Sequence, residues 1–131
     1  MPAPMTVNEL VAAARSRIRE VDPLECARWR PGEVVVIDVR EPGEFAQGHL
    51  PGAVNLPRGV LEFQVHAHPA MACSTSDALA QPSRPLLLYC LGGGRSALAA
   101  DSLRLLGFED VRSLAGGLQA WRNAGLPVSM E

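Results

Sequence analysis

Two unbroken apolar runs constrain this chain more than any other feature. Val34-Val35-Val36-Ile37 is wholly β-branched, and Leu86-Leu87-Leu88-Tyr89 follows Pro85 without a polar interruption. A strand with one wet face alternates apolar and polar residues, so an unbroken run marks a strand covered on both faces. Such strands belong to parallel sheets with helices packed on either side. Helical patterns lie between the runs, as that architecture requires. Asp22-Pro23-Leu24-Glu25 is a capping box with proline at the first helical position, and that short helix stops before Pro31-Gly32. Pro42 to Gln47 reads as a short helix closed by Gly48. Ser96 to Leu106 reads as a longer one, ending at Gly107 with Phe108 placed to pack behind it. Gly116-Gly117 opens a last helix carrying Trp121, ended by Gly125 and Pro127. Ala53-Val54-Asn55 and Val111-Arg112-Ser113 read as short strands, 59–65 as helical and 66–83 as polar and irregular. The expected fold is a single α/β domain.

Ahead of that body, Thr6-Val7-Asn8-Glu9 fits a capping box, and Val7, Leu10, Val11, Ala14 and Ile18 recur at helical spacing. Residues 1–20 are therefore read as a frayed tail and an amphipathic helix whose apolar stripe packs against residues 21–131.

A chain of 131 residues can close one substantial core without disulfides or metals. Its net charge of −2 gives no electrostatic case for nucleic acid or an anionic membrane. All 12 basic residues are arginine, which excludes Schiff-base lysines and the lysine of a phosphate-binding P-loop. Cys26, Cys73 and Cys90 are far apart and form no Cys-x-x-Cys pair, a usage that suits a reducing compartment. No apolar run approaches the ~18 residues of a membrane span. Charged residues interrupt the N-terminus where a secretory signal would be apolar, and two glutamates speak against a transit peptide. The expected location is the cytoplasm.

The chemistry is concentrated in Cys90-Leu91-Gly92-Gly93-Gly94-Arg95-Ser96. A cysteine at a strand's carboxyl end, glycines that can turn backbone N–H groups inward, and a helix N-terminus together make an anion cradle. The same field stabilises a thiolate, so Cys90 is placed to be a nucleophile; the bland alternative is a buried structural cysteine. Arg95 is expected to contact an anion, with a surface carboxylate as the other reading. Ser96 either caps the helix or touches substrate.

Three segments in order resemble one family. Asp38-Val39-Arg40-Glu41-Pro42 through Glu44-Phe45, then Gly48-His49-Leu50-Pro51-Gly52-Ala53, is similar to the N-terminal signature of rhodanese domains. The 90–96 segment looks like their active-site loop. Gly107-Phe108 through Val111, then Leu114-Ala115-Gly116-Gly117 and Ala120-Trp121, resembles their C-terminal segment. The resemblance runs from about Val21 to Val128. It implies a five-stranded parallel sheet flanked by helices, to which the N-terminal helix is an addition. It further implies sulfurtransferase chemistry through a Cys90 persulfide cradled by Leu91, Gly92, Gly93, Gly94, Arg95 and Ser96, with the amides of 91–95 facing the sulfur. The partners expected on that basis are a small-molecule donor such as thiosulfate, or a protein persulfide, and a thiol or cyanide acceptor. No organic cofactor or metal is called for.

Asp38, Arg40 and His49 are read as structural hydrogen-bonding residues, and Trp121 and Cys26 as packing. Relatives that favour thiosulfate carry a basic residue near the position of Glu44 and another in the loop. Here Glu44 is acidic and Arg95 is the loop's only cation, so thiosulfate is read as a usable donor rather than the physiological one. Rival readings are a non-catalytic binding or regulatory module and a cysteine-dependent phosphatase or arsenate reductase. Those oxyanion cradles have five residues between cysteine and arginine, whereas Cys90 and Arg95 are separated by four. His66, His68 and Cys73 are read as part of a solvated loop rather than a metal site, with Cys73 a candidate to resolve the persulfide.

Overall fold

The computed structural model describes residues 4–65 and 83–131. Its strands are β1 (Arg19–Val21), β2 (Val35–Asp38), β3 (Val54–Asn55), β4 (Leu86–Tyr89) and β5 (Val111–Leu114). They form one all-parallel sheet in the order β1-β5-β4-β2-β3. The helices are α1 (Val7–Arg15), α2 (Pro23–Ala27), α3 (Pro42–Ala46), α4 (Leu61–Gln64), α5 (Gly94–Leu105) and α6 (Gly117–Asn123). Among the described residues no helix is long and apolar enough to cross a membrane.

The unbroken run in β4 has the expected cause. Leu86, Leu88 and Cys90 face one core with Ile37, Leu61 and Leu103, while Leu87 and Tyr89 face the other with Leu50, Leu118 and Trp121. All four β4 side chains are fully buried, and each leucine so placed contributes about 1.5–3 kcal/mol. From β2 the chain moves outward to β3, then crosses to β4 and on to β5 in the opposite direction. This reversal opens a crevice beyond the carboxyl ends of β2 and β4, where open α/β sheets bind ligands. Cys90 follows β4 directly.

Thr6 caps α1 with a full capping box, and the Asp22 side chain accepts from the Glu25 amide with Pro23 opening α2. Two features differ from expectation. The stripe on α1 is only partly covered: Ala14 is buried, but Val7 and Leu10 are exposed. The covered side of α1 is the one that carries Val11 and Ala14, with Val11 beside Gly94 of α5. Second, Arg19–Val21 is a strand, paired with β5 at the sheet edge, and it straddles the 20/21 boundary. Only Val21 of the three is buried.

Candidate active site

The turn from β4 into α5 wraps around one sulfur atom. Gly93 takes a left-handed conformation at φ +105° and stands at the N-cap of α5. Its amide donates to Cys90 Sγ at 3.1 Å, and the Ser96 amide donates at 3.4 Å. The thiol in turn reaches Ser96 Oγ at 3.6 Å. Ser96 Oγ is fixed by Gly93 O at 3.2 Å and by the Ser113 hydroxyl of β5 at 2.8 Å. Cys90 itself is only 1% exposed, whereas Leu91 and Gly92 lie at the surface.

The loop faces its N–H groups inward because its carbonyls are engaged elsewhere. The Leu118 amide donates to Cys90 O at 2.9 Å and the Gln119 amide to Leu91 O at 3.0 Å. The first turn of α6 is thus the seat of the loop. Gly117, at φ +60°, makes this approach possible: a Cβ there would stand 2.5 Å from both carbonyl oxygens.

Sequence reasoning placed the start of α5 at Ser96, but the helix begins at Gly94. Ser96 is therefore not its cap; it sits in the first turn and supplies both an amide and a hydroxyl near the sulfur. The donors to Sγ are Gly93 and Ser96, one within and one just beyond the expected 91–95 set.

Arg95 requires the larger correction. Both of its terminal nitrogens bond the carboxylate of Glu44 on α3, at 2.8 and 3.0 Å, so the fork expected to meet an anion is already occupied. The Arg95 hydrogen bonds hold the Glu44 carboxyl at about 2, well below its ordinary value. This partnership was hidden because 51 positions separate the two residues.

Residues 23–124 match the model of the Rhodanese-like domain family. The chain belongs to that family. It is 38% identical over 95 residues to thiosulfate sulfurtransferase 16, chloroplastic, of Arabidopsis thaliana, covering 70% of this chain and 77% of that one. It is 32% identical over 96 residues to a sulfurtransferase of Allochromatium vinosum, covering 73% and 78%. Among solved structures, a protein of unknown function from Rhodopseudomonas palustris, described as a possible tyrosine phosphatase, superposes with a TM-score of 0.77 at 32% identity, over 98% of this chain and 99% of that one. A rhodanese-related protein from Thermoplasma volcanium superposes with a TM-score of 0.71 at 26% identity, over 86% and 99%.

The other residues of the rhodanese-like signature do what their burial suggests. Arg40 forks the Asp38 carboxylate, with Nη2 at 2.7 Å from Oδ2, and also donates to Gly48 O at 2.7 Å; both residues are buried. His49 has each ring nitrogen 2.9 Å from a backbone oxygen, of Leu50 and Glu131, and stacks on Phe45. Both nitrogens face backbone carbonyls rather than the Cys90 sulfur. Trp121 is in the core and donates to Pro127 O at 2.7 Å. Burial pushes the Cys26 thiol up to about 11, consistent with packing. His66, His68 and Cys73 lie outside the described residues. Sequence reasoning missed Ser113 as the partner of Ser96; it also missed Gly117 as the seat of the loop, although the Gly116-Gly117 doublet was its visible signal.

Proposed function

We propose that the chain is a sulfurtransferase that carries a sulfane sulfur as a persulfide on Cys90. The observation that supports this best is the pair of amide N–H donors, from Gly93 and Ser96, aimed at a single sulfur. Such donors stabilise negative charge on sulfur without a proton to exchange, which suits a thiolate and the persulfide that replaces it.

In the first half-reaction the Cys90 thiolate attacks the outer sulfur of thiosulfate. A new S–S bond forms, the old one breaks, and sulfite leaves with the electron pair. In the second, cyanide or an acceptor thiolate attacks the terminal sulfur and Cys90 is released as thiolate. This is double displacement through a covalent intermediate. Neither step transfers a proton, in keeping with His49 being engaged on both sides. A low-molecular-weight or protein persulfide could load Cys90 by the same exchange. The sparse cysteines, of which Cys26 and Cys90 are free thiols, suit a reducing compartment, and we place the reaction in the cytoplasm.

The phosphatase reading has one observation in its favour, the description of the Rhodopseudomonas palustris relative. The shorter Cys90–Arg95 spacing and the engagement of Arg95 by Glu44 speak against it, because a phosphate cradle needs room and a free fork. Initial rates of thiocyanate formation over a matrix of thiosulfate and cyanide concentrations test the proposal, with p-nitrophenyl phosphate run alongside. Parallel double-reciprocal lines and no phosphate release are expected. Phosphate release without thiocyanate would replace this function with the phosphatase one.

A further inference from the structure

Beside the sulfur cradle, beyond the carboxyl edge of the sheet, lies a cavity of about 610 Å³ lined by Arg58, Gly59, Glu62, Phe63 and Arg95. It adjoins the loop through Arg95. Arg58 reaches it from just past β3: its amide donates to Val39 O at 2.9 Å, and the Val39 amide donates to Tyr89 O at 3.0 Å, one residue before Cys90. Arg58 thus stands beyond the carboxyl end of β2, with Val39 between it and β4, and faces the loop across the cavity it shares with Arg95.

The two arginines of this cavity are in opposite states. Arg95 has both terminal nitrogens on Glu44. Arg58 has a buried Nε with no hydrogen-bond partner, and among the described residues no side-chain or backbone acceptor meets its guanidinium. Glu62 shares the cavity wall, yet forms no ion pair with it among those residues. A buried donor left unpaired costs stability, and a planar guanidinium with unused donors fits an oxyanion in a bidentate way. Phe63, 86% exposed, adds an apolar wall.

We propose that Arg58 is the anion-binding and specificity-determining residue of this site, holding the oxyanion group of the sulfur donor while its sulfane sulfur enters the Cys90 cradle. The group is a sulfonate, as in thiosulfate, or the carboxylate of a thiol persulfide. This rests on the sulfurtransferase reading. It also explains how a site whose loop cation is neutralised by Glu44 can take an anionic donor.

The test compares the native protein with R58Q and R58K, using cyanide as acceptor and three donors. These are thiosulfate, the persulfide of 3-mercaptopropionate and the persulfide of 2-mercaptoethanol; the two persulfides differ chiefly in the charge of the tail. R58Q is expected to raise KM about tenfold or more for an anionic donor, the effect of losing one charge-assisted contact. kcat should stay within about twofold, the 2-mercaptoethanol persulfide should be unaffected, and R58K should recover part of the loss. Loss confined to thiosulfate assigns the sulfonate, and loss confined to the 3-mercaptopropionate persulfide assigns the carboxylate. Equal loss with all three donors, or no loss with any, would overturn the role of Arg58 while leaving the sulfurtransferase intact. A native protein that accepts sulfur from none of the three would overturn both.

Discussion

At the scale of single residues, the Glu44–Arg95 pair is the feature that most changes how the loop can work. Arg95 holds the Glu44 carboxyl at about 2, from an ordinary value of 4.5. A carboxyl lowered on folding contributes its stability fully above its unfolded value and loses it as pH falls through the folded one. The contribution should therefore be complete above roughly pH 4.5 and gone below about pH 2. Both side chains are more than a third exposed, so water screens the pair and its worth is about 1 kcal/mol or less. Glu44→Gln is expected to lower Tm slightly at neutral pH, with the difference from native closing as the pH is brought down through that window. The same change releases the Arg95 fork, so KM for thiosulfate should fall while KM for an uncharged-tail persulfide stays put. An unchanged or raised thiosulfate KM would show that Arg95 has no access to the donor even when free. Nothing in the local sequence announces this pair, because the fold alone brings α3 to the loop.

At the scale of elements, the loop keeps its shape through what α6 does to its carbonyls. Gly117→Ala would place a methyl 2.5 Å from Cys90 O and Leu91 O, in a left-handed conformation. The backbone strain alone costs about 1–3 kcal/mol. The variant is expected to melt earlier and to load sulfur poorly, whereas Gly43→Ala, with open space around its Cβ, should behave as native. Equal thermal shifts for the two would contradict a seat at α6. Elements whose signals are local were legible in the sequence: Thr6 and Asp22 caps, and the β4 run. The start of α5 was not, because whether Gly94 or Ser96 begins the helix depends on a left-handed turn that any of three consecutive glycines could adopt. The strand Arg19–Val21 escaped for a different reason. At a sheet edge, two of its three side chains face solvent and leave no apolar pattern to read.

Across the whole molecule, the contiguous half of the site was legible and the assembled half was not. Cys90 and both amides that meet it fall within seven residues of chain; Glu44, Arg58, Ser113 and Gly117 arrive from four other segments. The N-terminal helix belongs to this assembled part. Arg17 forks Asp101 of α5 at 2.7 and 3.0 Å, and Val11 and Arg15 lie where Cβ atoms on Gly94 and Gly93 would meet them. α1 thus backs the turn that holds the sulfur. Removing residues 1–16 should leave the sheet intact by circular dichroism, lower Tm and slow the loading of Cys90; loading at the native rate would confine α1 to a stabilising role. The central claim is narrower, that Cys90 carries sulfur. It is tested most directly by intact mass after thiosulfate treatment, with and without cyanide, beside Cys90→Ser. The expected result is a gain of one sulfur atom on the native chain that cyanide removes and that Cys90→Ser never shows. The same gain on Cys90→Ser, or none on the native chain with thiosulfate or with either persulfide, would contradict it.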